Sequence, residues 1–491
     1  MKVLFPIFFK NSAWVISGSL FAKISSFCML ALLAQILGTK DFGIYAAILA
    51  TVASVQQICD LGISVVLQRL GAKIDTFHIL ETKKLSVKMT TLLLLLVTIV
   101  LSAWLTLVIF EDFFNKIFYG YEIADQYFKF LPYIFLLQVL TEIPLKLIAG
   151  GGFFKKLSLR VSLQNLLLLI VLPTSAYLFG LKGMFTGYIV IGVINCCITL
   201  KFVLDFVKKY NLKFELNNTF KTIKSILSEG LVNYLGNTLA GALLGILVIR
   251  LISQYLDISF FSYVRIGLAL GALLSFIPTA IQPVTLHFLI KHKDKSSILQ
   301  YYQFKYILLF TLISISVLVP FLEYLTPLVY GEKYINGIDV ITIVFITSFF
   351  NIGYTTLYSF SLAKDSIFHI GIIGVTCVSL AGLVAYFTIP IYEGNGYIMY
   401  YLVFQISYFI IFYRERIIKG KIPIKISDLL IMLFFWLWLL AFAVIQNDSF
   451  LFYTKILLIP TLLFVTFYYL LDDLVKNEIK KLIKRIRKTQ N

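Results

Sequence analysis

Long apolar runs alternate with short polar breaks along nearly the whole chain. They cover residues 13–37, 42–68, 89–110, 127–149, 159–180, 183–204, 224–252, 259–289, 304–323, 335–362, 367–390, 395–413, 427–446 and 450–471. Each has about the 20 mainly apolar residues that a helix needs to cross a hydrocarbon core roughly 30 Å thick. Charge, Gly or Pro bounds each run. The pattern predicts an all-α polytopic membrane protein of about 14 transmembrane helices. The longest connection on the expected outer side, Glu111–Gln126, leaves no room for a soluble domain there.

Composition agrees. The 491 residues are 59% hydrophobic and 14% charged, against about 25% charged in an ordinary soluble domain. Mean hydropathy is +0.91. The first run is too long for a signal-peptide core and lacks a small-residue cleavage site, so it is read as a retained span. All five cysteines lie inside apolar runs without paired or metal-ligand spacing, which points away from disulfides and zinc. Neither metal nor cofactor is expected.

The net charge of +18 sits in short loops, a distribution that argues against nucleic acid as a partner. With a cytoplasmic N-terminus, 31 of the 43 Lys and Arg fall in inside segments and six in outside loops (Lys40, Lys116, Lys129, Lys182, Lys333 and Lys455). That bias follows the positive-inside rule and places both termini in the cytoplasm. The tail "LVKNEIKKLIKRIRK" suits a helix lying on an anionic leaflet, or an ordinary solvated basic tail.

An internal repeat organises the spans. "QILGTKDFGIY" from Gln35 aligns with "SQYLDISFFSY" from Ser253, and "KIFYGYEIADQY" from Lys116 with "PLVYGEKYINGI" from Pro327. Spans 1–2 thereby fall on 7–8 and spans 3–4 on 9–10, so six spans repeat as six. The expected divisions are an N-lobe at 1–204, a cytoplasmic linker at 205–223 and a C-lobe at 224–413. A cytoplasmic loop with two further spans (414–471) and a basic tail (472–491) complete the chain.

"LGTKDFGIY", "DLGISVVLQRL", "YGEKYINGIDVITIV", "LAKDSIFHI" and "IPIYEGNGY" resemble Wzx-type polysaccharide flippases of the multidrug/oligosaccharidyl-lipid/polysaccharide (MOP) exporter superfamily. The resemblance runs from about Asn11 to Arg416. It implies two six-helix lobes forming a V around a central cavity that opens alternately to each side. The implied cargo is an undecaprenyl-diphosphate-linked oligosaccharide, for O-antigen, capsule or another surface polymer. Other polysaccharide-assembly membrane proteins are candidate partners.

A diphosphate cargo needs cations in a cavity of low dielectric. Lys23 lies about 15 Å into span 1, near the midplane. Arg265 is roughly two turns into span 8, and Arg250 is near the outer end of span 7. These three are the candidate substrate-binding cations. Asp60 recurs with Gln56, Gln57 and Ser64 on one face of span 2, and Asn233, Asn237 and Gly241 share a face of span 7. Asp60, Gln57, Asn237 and Asn233 are thus the candidate polar or coupling residues, with interhelical hydrogen bonding the plainer alternative. For Glu142 and Lys146, four apart, the expectation is an i,i+4 pair.

The leading reading is a non-enzymatic flippase; the sequence contains no G-x-x-x-x-G-K-[ST] phosphate loop. A cation-coupled multidrug exporter is the alternative within the superfamily and would be expected to centre its cavity on acids. A membrane O-antigen polymerase or ligase is the alternative from another class and would be expected to carry a large outside loop.

Overall fold

The computed structural model describes residues 4–74, 82–119, 125–214, 223, 234–276, 296–364, 367–418, 433–434 and 436–437. Among these residues the secondary structure is helical. Single turns aside, the helices are α1 (Leu4–Asp60), α2 (Ile63–Ile74), α3 (Thr82–Ile109), α4 (Glu111–Tyr119), α5 (Leu131–Gly150) and α6 (Phe154–Lys209). They continue with α7 (Ala240–Tyr255), α8 (Phe260–Leu274), α9 (Ser296–Leu318), α10 (Leu322–Tyr330), α11 (Ile338–Lys364) and α12 (Ile367–Ile418). A short π-helical stretch, Tyr234–Leu239, leads into α7.

At 57 residues, α1 would be about 85 Å long as one rod, nearly three times the hydrocarbon core. It is broken at Gly38, where φ is 71° and ψ 179°, a conformation open to glycine because it lacks a Cβ. The break divides predicted spans 1 and 2. Gly180 (φ 62°) does the same inside α6, and Glu393 (φ 49°) inside α12. Among the described residues, eight helices are long and apolar enough to cross a membrane, and three of them are these bent pairs. With the shorter α8 on predicted span 8, the described part of each of the first twelve predicted spans is largely helical.

Predicted span 2 is not one continuous helix. It breaks at Leu61 and Gly62, whose φ values are 45° and 76°. The cause is local. The Asp60 carboxylate accepts the Ser64 amide N–H at 2.9 Å and the Ser64 hydroxyl at 2.7 Å, closing a turn that starts α2 afresh.

Of predicted span 13 only four residues are described. Among them Trp436 is buried against α11, donating its indole N–H to the Ile346 carbonyl at 3.2 Å with its ring 4.5 Å from Phe350. Both chain ends, most of spans 13–14, the 215–222 segment and Pro278 and Pro283 lie outside the described residues.

In the first half of the chain α6 packs along α1 and α5, and α2 lies on α5; in the second, α11 packs on α8 and α12, and α7 on α12. The α2–α5 crossing is close enough that a Cβ on Gly71 would strike the Leu147 carbonyl, and one on Gly150 the Gln68 carbonyl. Large apolar side chains such as Leu105, Ile170, Phe179, Leu328 and Leu383 point outward, as a lipid solvent allows.

Helix α1 is also the seam between the halves, touching both α7 and α8. At the Gly38 end, Gln35 donates to the Val329 carbonyl at 2.7 Å and Tyr334 donates to the Ala34 carbonyl at 3.2 Å. The Phe42 and Tyr334 rings meet edge to face at 6.3 Å. Toward the Asp60 end, the Tyr234 hydroxyl donates to the Ile58 carbonyl at 2.5 Å.

Candidate functional site

Two cations meet across this seam. Lys23 comes from the first arm of α1 and Arg265 from α8; both are half-buried and lie within electrostatic reach of each other. The ion pairs seen among the described residues, Lys156–Asp205 at 2.7 Å and Arg160–Glu142 at 3.5 Å, involve neither. The Arg265 guanidinium lies close to the buried Tyr45 hydroxyl, while its Nε is buried without a hydrogen-bond partner. Like charges held together at low dielectric repel strongly. An anion between them would relieve the repulsion and satisfy the open N–H.

Tyr45 continues the network into the first half of the chain. Tyr188 of α6 lies within electrostatic reach of Tyr45, Arg265 and Glu142. Behind Glu142 stands Arg160, only 3% exposed. The expected Glu142–Lys146 pair is therefore replaced by an interhelical one, with Arg160 at 3.5 Å. Lys146 is exposed and falls instead within reach of Asp60. Arg160, at the start of the apolar run 159–180, is buried in the helix interior. Beside the pair, α5 and α6 enclose a pocket with about 50 Å³ of room, lined by Gln138, Thr141, Glu142, Gln164, Tyr188 and Asn195 among apolar neighbours.

Arg250, Asp60 and Gln57 make their contacts elsewhere. Arg250 donates to the Ile117 carbonyl of α4 at 3.1 Å, tying the halves together near their Gly38 end. Asp60 is occupied by Ser64 at the helix break. Gln57 is exposed and approaches Gly241 of α7. Asn233 and the side chain of Asn237 lie outside the described residues.

Sequence reading missed Tyr45, Arg160, Tyr188 and Asn195. Tyr45 stood inside a quoted motif, "LGTKDFGIY", but carried no charge to single it out. The signal for Arg160 was an arginine beside an otherwise apolar run.

The described residues form a helical fold with membrane-length apolar helices and a charged seam between its halves. Among solved structures, the lipid II flippase MurJ in an inward closed conformation matches with a TM-score of 0.68 at 14% identity, over 92% of this chain and 97% of that one. A point mutant of the Vibrio cholerae MATE transporter VcmN matches at 0.60 and 13% identity, covering 83% and 96%. A multidrug-resistance MATE transporter of the MOP superfamily in an outward-facing conformation matches at 0.57 and 15%, covering 84% and 95%. At these identities the likeness is one of fold. The family model for polysaccharide biosynthesis proteins matches residues 8–284, more than half of the 491, and the chain belongs to that family. The resemblance read from "LGTKDFGIY" and its companion motifs is borne out. No curated protein matches the chain by sequence.

Proposed function

We propose that the protein is a flippase that moves undecaprenyl-diphosphate-linked oligosaccharide from the cytoplasmic to the outer leaflet of a bacterial inner membrane. Transport proceeds by alternating access between an N-lobe (1–204) and a C-lobe (224–413), supplying O-antigen, capsule or another surface polysaccharide. The observation that carries this reading is the Lys23–Arg265 pair, two half-buried cations from opposite sides of the seam with an unsatisfied guanidinium N–H between the halves. A diphosphate supplies the charge and the acceptors that this arrangement lacks. Its binding offsets its own desolvation, and the lipid tail stays in the bilayer. Such a protein needs no reacting side chain, only two faces that open in turn.

The test uses a cell lacking its own flippase for a surface polymer. The wild-type chain should restore the polymer. Lys23→Ala and Arg265→Ala should lower it at least tenfold at equal membrane abundance, with lipid-linked oligosaccharide accumulating on the cytoplasmic leaflet. Full polymer from Lys23→Ala would sink the reading. Accumulation of unpolymerised units on the outer leaflet would instead favour a polymerase.

The MATE-like fold supports the second reading, a cation-coupled multidrug exporter. The chemistry at the seam argues for the anionic cargo, because the charges facing one another there are basic.

A further inference from the structure

The pocket between α5 and α6 has no part in holding a diphosphate, yet its lining is built of groups that suit a different piece of the same molecule. Asn195 is 3% exposed, lines the pocket, and has an Oδ1 without a hydrogen-bond partner. Gln138, Gln164 and Tyr188 add amides and a phenol. The Thr141 hydroxyl is turned to the Leu137 carbonyl, so it is the side chain least free to serve a ligand. The Glu142 carboxylate is balanced by Arg160 at 3.5 Å, whose Nε and Nη2 are buried and unpartnered.

Two features discriminate between ligands. First, the Glu142–Arg160 pair leaves the pocket with no net charge, and Arg160 would repel a metal cation drawn to Glu142. Second, the lining carries groups of both kinds, the unmet Asn195 amide oxygen that accepts and the Gln138, Gln164 and Tyr188 side chains, which can donate. Hydroxyl groups both donate and accept, and a sugar edge presents several at once. The room of about 50 Å³ corresponds to three to five waters at roughly 10–15 Å³ each. That is enough for the hydroxyl-bearing edge of one ring, with the rest of the ring in the cleft.

Position supplies the link. Tyr188 lines the pocket and also lies within electrostatic reach of Arg265. A group bound in the pocket therefore neighbours whatever the cation pair holds. In a lipid-linked oligosaccharide, the unit joined directly to the diphosphate is the first sugar.

We propose that the α5–α6 pocket, with Asn195, Gln164, Gln138 and Tyr188 on its walls, is a subsite for the neutral sugar attached to the diphosphate. This rests on the flippase reading above, and it makes these residues determinants of which first sugar is accepted. The diphosphate is held by charge, without regard to the glycan; the pocket reads hydroxyls. One or two hydrogen bonds at about 1 kcal/mol each convert to a preference of roughly tenfold.

The full chain in nanodiscs can be titrated with two probes, undecaprenyl diphosphate and the same lipid carrying a single hexose. Several hexoses are compared, including N-acetylated ones, and the readout is the ratio of the two affinities. The wild type should favour at least one sugar-bearing probe by about tenfold. Gln164→Ala and Asn195→Ala should bring that ratio to near one. Lys23→Ala should weaken both probes and keep the ratio. Asn195 is the more buried of the two, so Gln164→Ala, at a half-buried position, carries the test if Asn195→Ala unfolds on heating well below wild type.

If the wild type binds both probes and each pocket variant keeps the full preference, the subsite is overturned while the flippase reading stands. Equal binding of all probes by the wild type also overturns it. Failure of every probe to bind overturns the flippase reading and the subsite with it. Thermal stabilisation by sodium that is lost in Asn195→Ala, with the ratio unchanged, would mark the pocket as a cation site and overturn the sugar assignment.

Discussion

Asp60 shows how local bonding can decide the role of a charge in an apolar run. Its two carboxylate oxygens are taken by the Ser64 N–H and hydroxyl, and the residues that follow adopt positive φ. The carboxylate thus stabilises a break in span 2, while Lys146 is the cation within its reach. Asp60→Asn keeps one oxygen for the Ser64 amide and should leave both the fold and the pH profile of transport unchanged. Asp60→Leu loses both bonds and leaves the turn unsupported, at a cost of about 1–3 kcal/mol. Thermal unfolding of the purified variants, with transport measured from about pH 5.5 to 8.5, separates the two roles. A shifted profile in Asp60→Asn would support the coupling role expected from the sequence.

At the scale of helices, close crossings are set by glycine. Gly150 sits against the Gln68 carbonyl and Gly71 against the Leu147 carbonyl, so that a single added Cβ must push α2 off α5. Gly150→Ala should cost about 1–3 kcal/mol and lower the thermal midpoint. Gly241→Ala is the matched control, since its nearest neighbour across the α1–α7 contact is Gln57 at 4.0 Å. That substitution should be neutral, or stabilising by up to about 1 kcal/mol, because alanine loses less backbone freedom in a helix. Equal midpoints for Gly150→Ala and the wild type would refute the crossing. The contrast also marks what sequence could show at this scale. Span positions were legible because lipid demands long apolar runs, and the described parts of the first twelve are largely helical. The break at Leu61–Gly62 was not, because both residues fit an apolar run and the device that breaks it is a side-chain bond four residues long. The site divides in the same way. Lys23 and Arg265 were legible as cations with no surface in reach. Arg160 was hidden by its nearness to a basic loop, and its partner Glu142 had a lysine four residues away as the default. Asn195 is a lone amide among Ile and Cys, and only the fold of α6 on α5 brings it to Glu142.

For the whole molecule, the seam at the Gly38 end must open if the halves alternate. Among the described residues, its hydrogen bonds run from Gln35 to Val329, Tyr334 to Ala34 and Arg250 to Ile117, beside the Phe42–Tyr334 and Phe27–Tyr330 ring contacts. Gly43 permits the approach, since a Cβ there would strike the Ile258 carbonyl. Three hydrogen bonds at a net ~1 kcal/mol each are weak enough for cargo binding to outweigh. Such a contact is suited to a gate and poorly suited to a permanent weld. Covalent closure tests this directly. In a background with Cys28, Cys59, Cys196, Cys197 and Cys377 replaced, Gln35→Cys and Val329→Cys are joined by a short cleavable bis-thiol reagent. Export of the surface polymer should stop when the link is complete and resume when it is cleaved, while either single cysteine treated alike exports normally. Export that continues through a fully linked chain would mean that this end of the seam stays shut throughout the cycle, and cargo would have to leave by another route.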